Sequence, residues 1–100
     1  MCMNELNLEL QINGIIEKTV PVEGDEFIIG RLLECDLQLP FSDISRNHTR
    51  LFKIASGDWL VEDMGSTNGT LLNNSPLNHP HLVNQGDVIY LGHQINLIVV

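Results

Sequence analysis

The chain has 100 residues, enough for one domain that buries roughly two-thirds of its unfolded surface. Thirteen acidic residues against five basic ones leave a net charge of −8. That balance argues against nucleic acid and against an anionic membrane surface as partners, because both are held through Lys and Arg. Hydrophobic residues make up 43% of the sequence, which suits a folded core, and no apolar run nears the roughly 20 residues that cross a bilayer.

In chain order the hydrophobic period is two almost throughout. Leu6, Leu8, Leu10 and Ile12 alternate with Asn7, Glu9 and Gln11, the pattern of a half-buried strand. Asn13-Gly14 is a hairpin signal, and Ile15 to Val22 returns as the partner strand. Glu26-Phe27-Ile28-Ile29 reads as a strand ending at Gly30, and Asp36 to Leu39 as a short strand stopped by Pro40. Strands follow at Thr49 to Ile54, Trp59 to Asp63, Thr70 to Leu72, Val88 to Leu91 and Gln94 to Val100. Turns are expected at Ser56-Gly57-Asp58, Asn73-Asn74-Ser75-Pro76 and Gln85-Gly86-Asp87. No segment has a 3.6 period, so the class is all-β, a sandwich or a barrel.

The N-terminal Met1-Cys2-Met3-Asn4-Glu5 has no basic region of the kind that opens a signal peptide. Cys2 and Cys35 have no metal-ligand spacing and read as two unpaired thiols, with Cys2 in a frayed end, in a reducing, cytoplasmic (intracellular) setting. Residues 1–100 read as a single domain, a whole protein or one module of a longer one.

Three loop segments between strands carry the chemistry: Gly30-Arg31, Ser45-Arg46-Asn47-His48 and Gly65 to Thr70. Arg31 and Arg46 offer charged, forked donors, Ser45 and Thr67 offer hydroxyls, and Asn68 an amide. That set suits a phosphate and the peptide that carries it. A local positive site on a negative body can bind one phosphate while repelling polyanions. Gly30 at a strand end marks a turn or a close backbone approach. His48 is placed to pin its loop by hydrogen bonds. Asn68-Gly69 fits a type I′ turn as well as Asn13-Gly14 does, and what sets it apart is its Ser, Thr and Thr neighbours.

Taken together, these pieces resemble the forkhead-associated (FHA) domain. Ile29-Gly30-Arg31 is similar to the family's Gly-Arg, and Ser45-Arg46-Asn47-His48 to its Ser-Xaa-Xaa-His. Asp63 through Thr70 resembles its Asp-Xaa-Xaa-Ser-Thr-Asn-Gly-Thr, and Leu82, Gly86-Asp87-Val88-Ile89 and Leu91-Gly92 its closing segment. The resemblance implies a two-sheet β-sandwich of about eleven strands with ligand loops at one end. It implies a non-catalytic reader of phosphothreonine in a partner protein, serving signalling or assembly, with no cofactor. By position, Arg31 and Ser45 would bind the phosphate, Arg46 and the Thr67 hydroxyl would add to that grip, and Asn68 would hold the peptide backbone. Gly30, His48 and Gly69 would support the site, Gly69 by allowing a sharp turn. The domain is expected to be a monomer or part of a multidomain chain.

Two other readings stay open. A hydrolase could be assembled from Ser45, His48 and Asp63, although no Gly-x-Ser-x-Gly elbow surrounds Ser45. A phosphate-independent docking or dimerisation domain could use a sheet face or a loop edge. His79-Pro80-His81 reads as a proline-bearing polar loop rather than a metal site.

Overall fold

A computed structural model describes residues 5–100. Cys2, and most of the N-terminal segment read above, lie outside the described residues. The described residues contain no helix and form eleven strands in two sheets. The strands are β1 (Leu6–Ile12), β2 (Ile15–Val22), β3 (Glu26–Gly30), β4 (Leu37–Gln38), β5 (Thr49–Lys53) and β6 (Trp59–Asp63), followed by β7 (Thr70–Leu72), β8 (Ser75–Pro76), β9 (His81–Leu82), β10 (Val88–Leu91) and β11 (Ile95–Val99). One sheet runs β2-β1-β11-β10-β7-β8 and the other β4-β3-β5-β6-β9.

The alternation read from the sequence is the alternation of burial. Leu6, Leu8 and Leu10 of β1 and Ile95, Leu97 and Val99 of β11 point inward. They share one apolar core with Phe27 and Ile29 of β3, Leu51 of β5 and Trp59 and Val61 of β6. Burying each such side chain contributes roughly 1.5–3 kcal/mol. Leu51 lies in this core, while the next residue, Phe52, turns outward beneath the Arg50 guanidinium, 4.2 Å from its ring centre.

Two short strands depart from the reading above. Ser75–Pro76, expected within a turn, is β8, paired with Leu71 and Leu72 across a turn made by Asn73 (φ 50°) and Asn74 (φ 73°). His81, expected in a polar loop, opens β9 against Val61. Two residues are too few to show a period, and a proline is tolerated there because β8 is an edge strand. Asn13 (φ 54°) and Gly14 (φ 80°) make the expected hairpin turn. At Asn68-Gly69 only Gly69 (φ 83°) is left-handed, so that pair is not a type I′ turn, which needs both.

Candidate functional site

The loops after β3, before β5 and between β6 and β7 meet at one end of the sandwich. Backbone bonds join the first two: Arg31 N–H donates to the Ser45 carbonyl at 3.0 Å and Leu32 N–H to the Arg46 carbonyl at 3.4 Å. The approach is close because Gly30 has no side chain. A Cβ there would lie 2.2 Å from the Arg46 carbonyl oxygen, so Gly30 answers to space rather than to a turn.

His48 is fully buried and joins the second loop to the third. Its Nδ1 accepts from the Ser45 N–H at 3.0 Å, which places the ring proton on Nε2, and Nε2 donates to the Gly69 carbonyl at 2.8 Å. Its own N–H donates to the Ile29 carbonyl and its carbonyl accepts from Met64 N–H, each at 2.9 Å. The side chain and main chain of this one residue therefore tie the second loop to the third and to the end of β3.

The third loop is wound around Asp63. Its carboxylate accepts from the N–H groups of Gly65 (3.1 Å) and Ser66 (2.9 Å) and from the hydroxyls of Ser66 (2.5 Å) and Thr70 (2.7 Å). Burial alone would raise the Asp63 pKa, but the hydrogen bonds from Ser66 and Thr70 outweigh it and hold the carboxyl below the ordinary carboxylate range. Ser66 Oγ in turn accepts from Gly69 N–H at 2.8 Å, and Thr70 Oγ1 pairs with the buried Thr49 hydroxyl at 2.8 Å.

On this frame Arg31, Ser45, Arg46 and Thr67 line one open cavity of about 370 Å³, with Asn47 and Met64 completing its wall. Arg31 Nε donates to the Ile44 carbonyl at 3.0 Å, which leaves the terminal N–H groups of the guanidinium for the cavity. Ser45 Oγ accepts from Thr67 N–H at 3.0 Å, so its own hydroxyl proton is available as a donor. Asn68 is exposed beside the cavity, its Nδ2 donating to the Asp43 carbonyl at 2.8 Å. All four candidate phosphate ligands thus meet, and Gly30, His48 and Gly69 lie behind them.

The third arginine stands apart. Arg50, on the outer face of β5, is held between Glu26 (2.6 Å) and Glu62 (2.5 Å). Cys35 is a free thiol beneath the Arg46 loop, its Sγ 3.3 Å from the Arg46 carbonyl oxygen, and burial holds its pKa above the ordinary thiol value. Among the described residues, no three His, Cys, Asp or Glu side chains converge as metal ligands would. The sequence alone assigned no individual role to Asp43, Asn47, Met64 or Ser66, although Asn47 and Ser66 stand inside the quoted motifs. Of these, only Ser66 left a local signal, an acid followed three residues later by a hydroxyl.

Comparison with known proteins places this geometry. An FHA domain-containing protein of Arabidopsis thaliana is 37% identical over 79 residues, and the match covers 76% of this chain and 20% of the relative. FhaA of Mycobacterium tuberculosis is 34% identical over 87 residues, with 87% of this chain and 16% of the relative covered. The chain thus spans a fifth or less of the length of these two relatives. The crystal structure of the FhaA FHA domain complexed with the intracellular domain of Rv3910 superposes with a TM-score of 0.80 at 33% identity, over 95% of this chain and 99% of that one. A structure from work on phosphothreonine-dependent FHA domain interactions gives 0.81, also at 33% identity, over 95% and 94%. The FHA domain family matches residues 27–92, from the core of β3 to the turn after β10, and so takes in all three loops. The chain belongs to the FHA domain family.

Proposed function

We propose that this chain is a non-catalytic module that binds phosphothreonine in a partner protein. The observation that carries the reading is the cavity itself: two arginines and two hydroxyl side chains from three separate loops surround one open space. A phosphothreonine brings about −1.5 to −2 charge and three acceptor oxygens. Arg31, with its guanidinium aimed by Ile44, and the Ser45 hydroxyl grip the phosphate, Arg46 and Thr67 add to that grip, and Asn68 holds the peptide backbone. The work on phosphothreonine-dependent FHA interactions supports the choice of ligand.

Binding rather than catalysis is further supported by His48, whose two ring nitrogens are already engaged by Ser45 N–H and the Gly69 carbonyl. A general base for Ser45 would need one of them. The setting that goes with this reading is intracellular, where Ser/Thr kinases mark the partner. Residues 1–100 act as one monomeric module, alone or within a longer chain. A single phosphate on a flexible peptide supports roughly micromolar affinity.

The test is fluorescence anisotropy with a degenerate phosphothreonine peptide library, beside its phosphoserine and unphosphorylated counterparts. Saturable binding to the phosphothreonine pool alone is expected. Equal binding to all three pools, or none, would overturn the reading and point to docking that does not need phosphate.

A further inference from the structure

Asp43 precedes the Ser45 loop by two residues and belongs to none of the three motifs, yet it makes contacts in two directions. Its main-chain carbonyl accepts from Asn68 Nδ2 at 2.8 Å. Its carboxylate Oδ2 accepts from the main-chain N–H of His93, fifty positions away in the β10–β11 turn, at 2.8 Å. The turn is shaped to admit that carboxylate. Gly92 has φ +59°, and a Cβ on it would lie 2.5 Å from Asp43 Oδ2 and 3.1 Å from Ile44 Cδ1. Ile44 is itself buried, and its carbonyl aims Arg31.

From these contacts we infer that Asp43 is a positioning residue of the ligand site: its carboxylate fastens the Asp43–Ile44 segment to the β10–β11 turn so that its carbonyl can hold the Asn68 amide at a fixed angle. The inference rests on the phosphopeptide reading. An amide that gives one N–H to a fixed carbonyl can no longer flip. Its Oδ1 and second N–H are then left as an acceptor and a donor, the pair that an extended peptide's N–H and C=O require. Without the carboxylate, the Asp43 carbonyl is still present but no longer held, and the ordering of Asn68 must come out of the binding free energy. The phosphate grip is less affected, because Ser45, Thr67 and His48 have their own bonds and Ile44, whose carbonyl aims Arg31, stays anchored by its buried side chain and by its N–H bond to the Phe41 carbonyl.

The experiment compares Asp43→Ala, Asp43→Asn, Gly92→Ala, Asn68→Ala and Arg31→Ala by anisotropy with a phosphothreonine peptide, and by competition with free phosphothreonine, which has no flanking peptide. Thermal melts identify the folded variants. Asp43→Ala is expected to weaken the peptide about fivefold to twentyfold, the scale of one hydrogen bond, while free phosphothreonine competes as against the parent protein. Asp43→Asn, which keeps an acceptor for His93 N–H, restores most of the affinity and keeps the test valid if the alanine variant is unstable. Gly92→Ala reproduces the loss, and adding Asp43→Ala to Asn68→Ala causes little more. Full peptide affinity in Asp43→Ala, an equal loss for peptide and free phosphothreonine, or losses that multiply in the double variant would each overturn the assignment. A peptide that binds Arg31→Ala as tightly as the parent would overturn the phosphopeptide reading itself, and this assignment with it.

Discussion

Gly30 and Arg46 meet backbone to backbone: a Cβ on Gly30 would stand 2.2 Å from the Arg46 carbonyl oxygen and 2.9 Å from its carbonyl carbon. Neither atom is the tip of a flexible side chain, so a methyl group there must push apart the end of β3 and the Arg46 loop. Gly30→Ala is expected to cost about 1–3 kcal/mol of stability, the usual range for overpacking. It should also weaken ligand binding, because Arg31 and Arg46 sit on the two sides forced apart. Urea unfolding and peptide anisotropy on the same sample check both effects.

Removing the Arg31 guanidinium takes away a charge-assisted donor set. Arg31→Ala is expected to weaken a phosphothreonine peptide by about tenfold to a hundredfold, from roughly 1.5–3 kcal/mol for a hydrogen bond to a charged group. Arg31→Lys should not restore it. A lysine cannot donate to the Ile44 carbonyl and at the same time present a planar fork to the cavity. Titration calorimetry of the three proteins tests the ranking, with melting curves to show that the fold survives.

His48→Ala would leave the Ser45 N–H and the Gly69 carbonyl without their partner in a half-buried place. Each orphaned group costs about 1–3 kcal/mol, before the cavity left by the ring is counted. Chemical unfolding should therefore show a larger loss for this variant than for Arg31→Ala, although His48 does not line the cavity.

Asp63 sets a pH dependence. Its folded pKa lies below its unfolded value, near the ordinary 3.9, so the stability it contributes is fully present above about pH 4 to 5 and fades as pH falls through the folded value. Asp63→Asn should be less stable than the parent at pH 7, and its stability should fall less steeply between pH 5 and pH 3. Urea midpoints across that range measure it, and parallel curves for the two proteins would count against the role given to the carboxylate.

Arg50 supplies the opposite control. Its guanidinium is occupied by Glu26 and Glu62 and lies over Phe52, away from the cavity wall. Arg50→Gln is expected to leave peptide affinity unchanged within error and to cost less than about 1 kcal/mol, as exposed ion pairs generally do. If affinity falls by tenfold, this arginine reaches the ligand after all.

Much of this molecule can be read from its sequence because its information is local. Leu6, Leu8 and Leu10 announce their face by alternation, and Asn13-Gly14 carries its own backbone preference. The site loops were legible for a different reason: Gly30-Arg31, Ser45 to His48 and Asp63 to Thr70 are each weak alone, and their order and spacing together resemble the FHA domain. What escaped depends on distance or brevity. Asp43 matters through a turn fifty positions away, which no local pattern reports. β8 and β9 have two residues each, too short to show a period. The Asn68-Gly69 pair imitates a hairpin turn but keeps Asn68 out of the left-handed region, and its side chain donates to the Asp43 carbonyl.

The buried imidazole of His48 has a kinetic consequence. Because it clamps the Ser45 loop to the Gly69 carbonyl, while its main-chain N–H and C=O reach β3 and Met64, the loops of the candidate site are held by bonds within the chain itself. On the phosphopeptide reading proposed above, the ordering entropy of association would fall mostly on the incoming peptide. Encounter should be limited by diffusion and electrostatic attraction toward the two arginines rather than by loop closure. Differences in lifetime among partners would then reside in their flanking residues, with association rates nearly common to all of them.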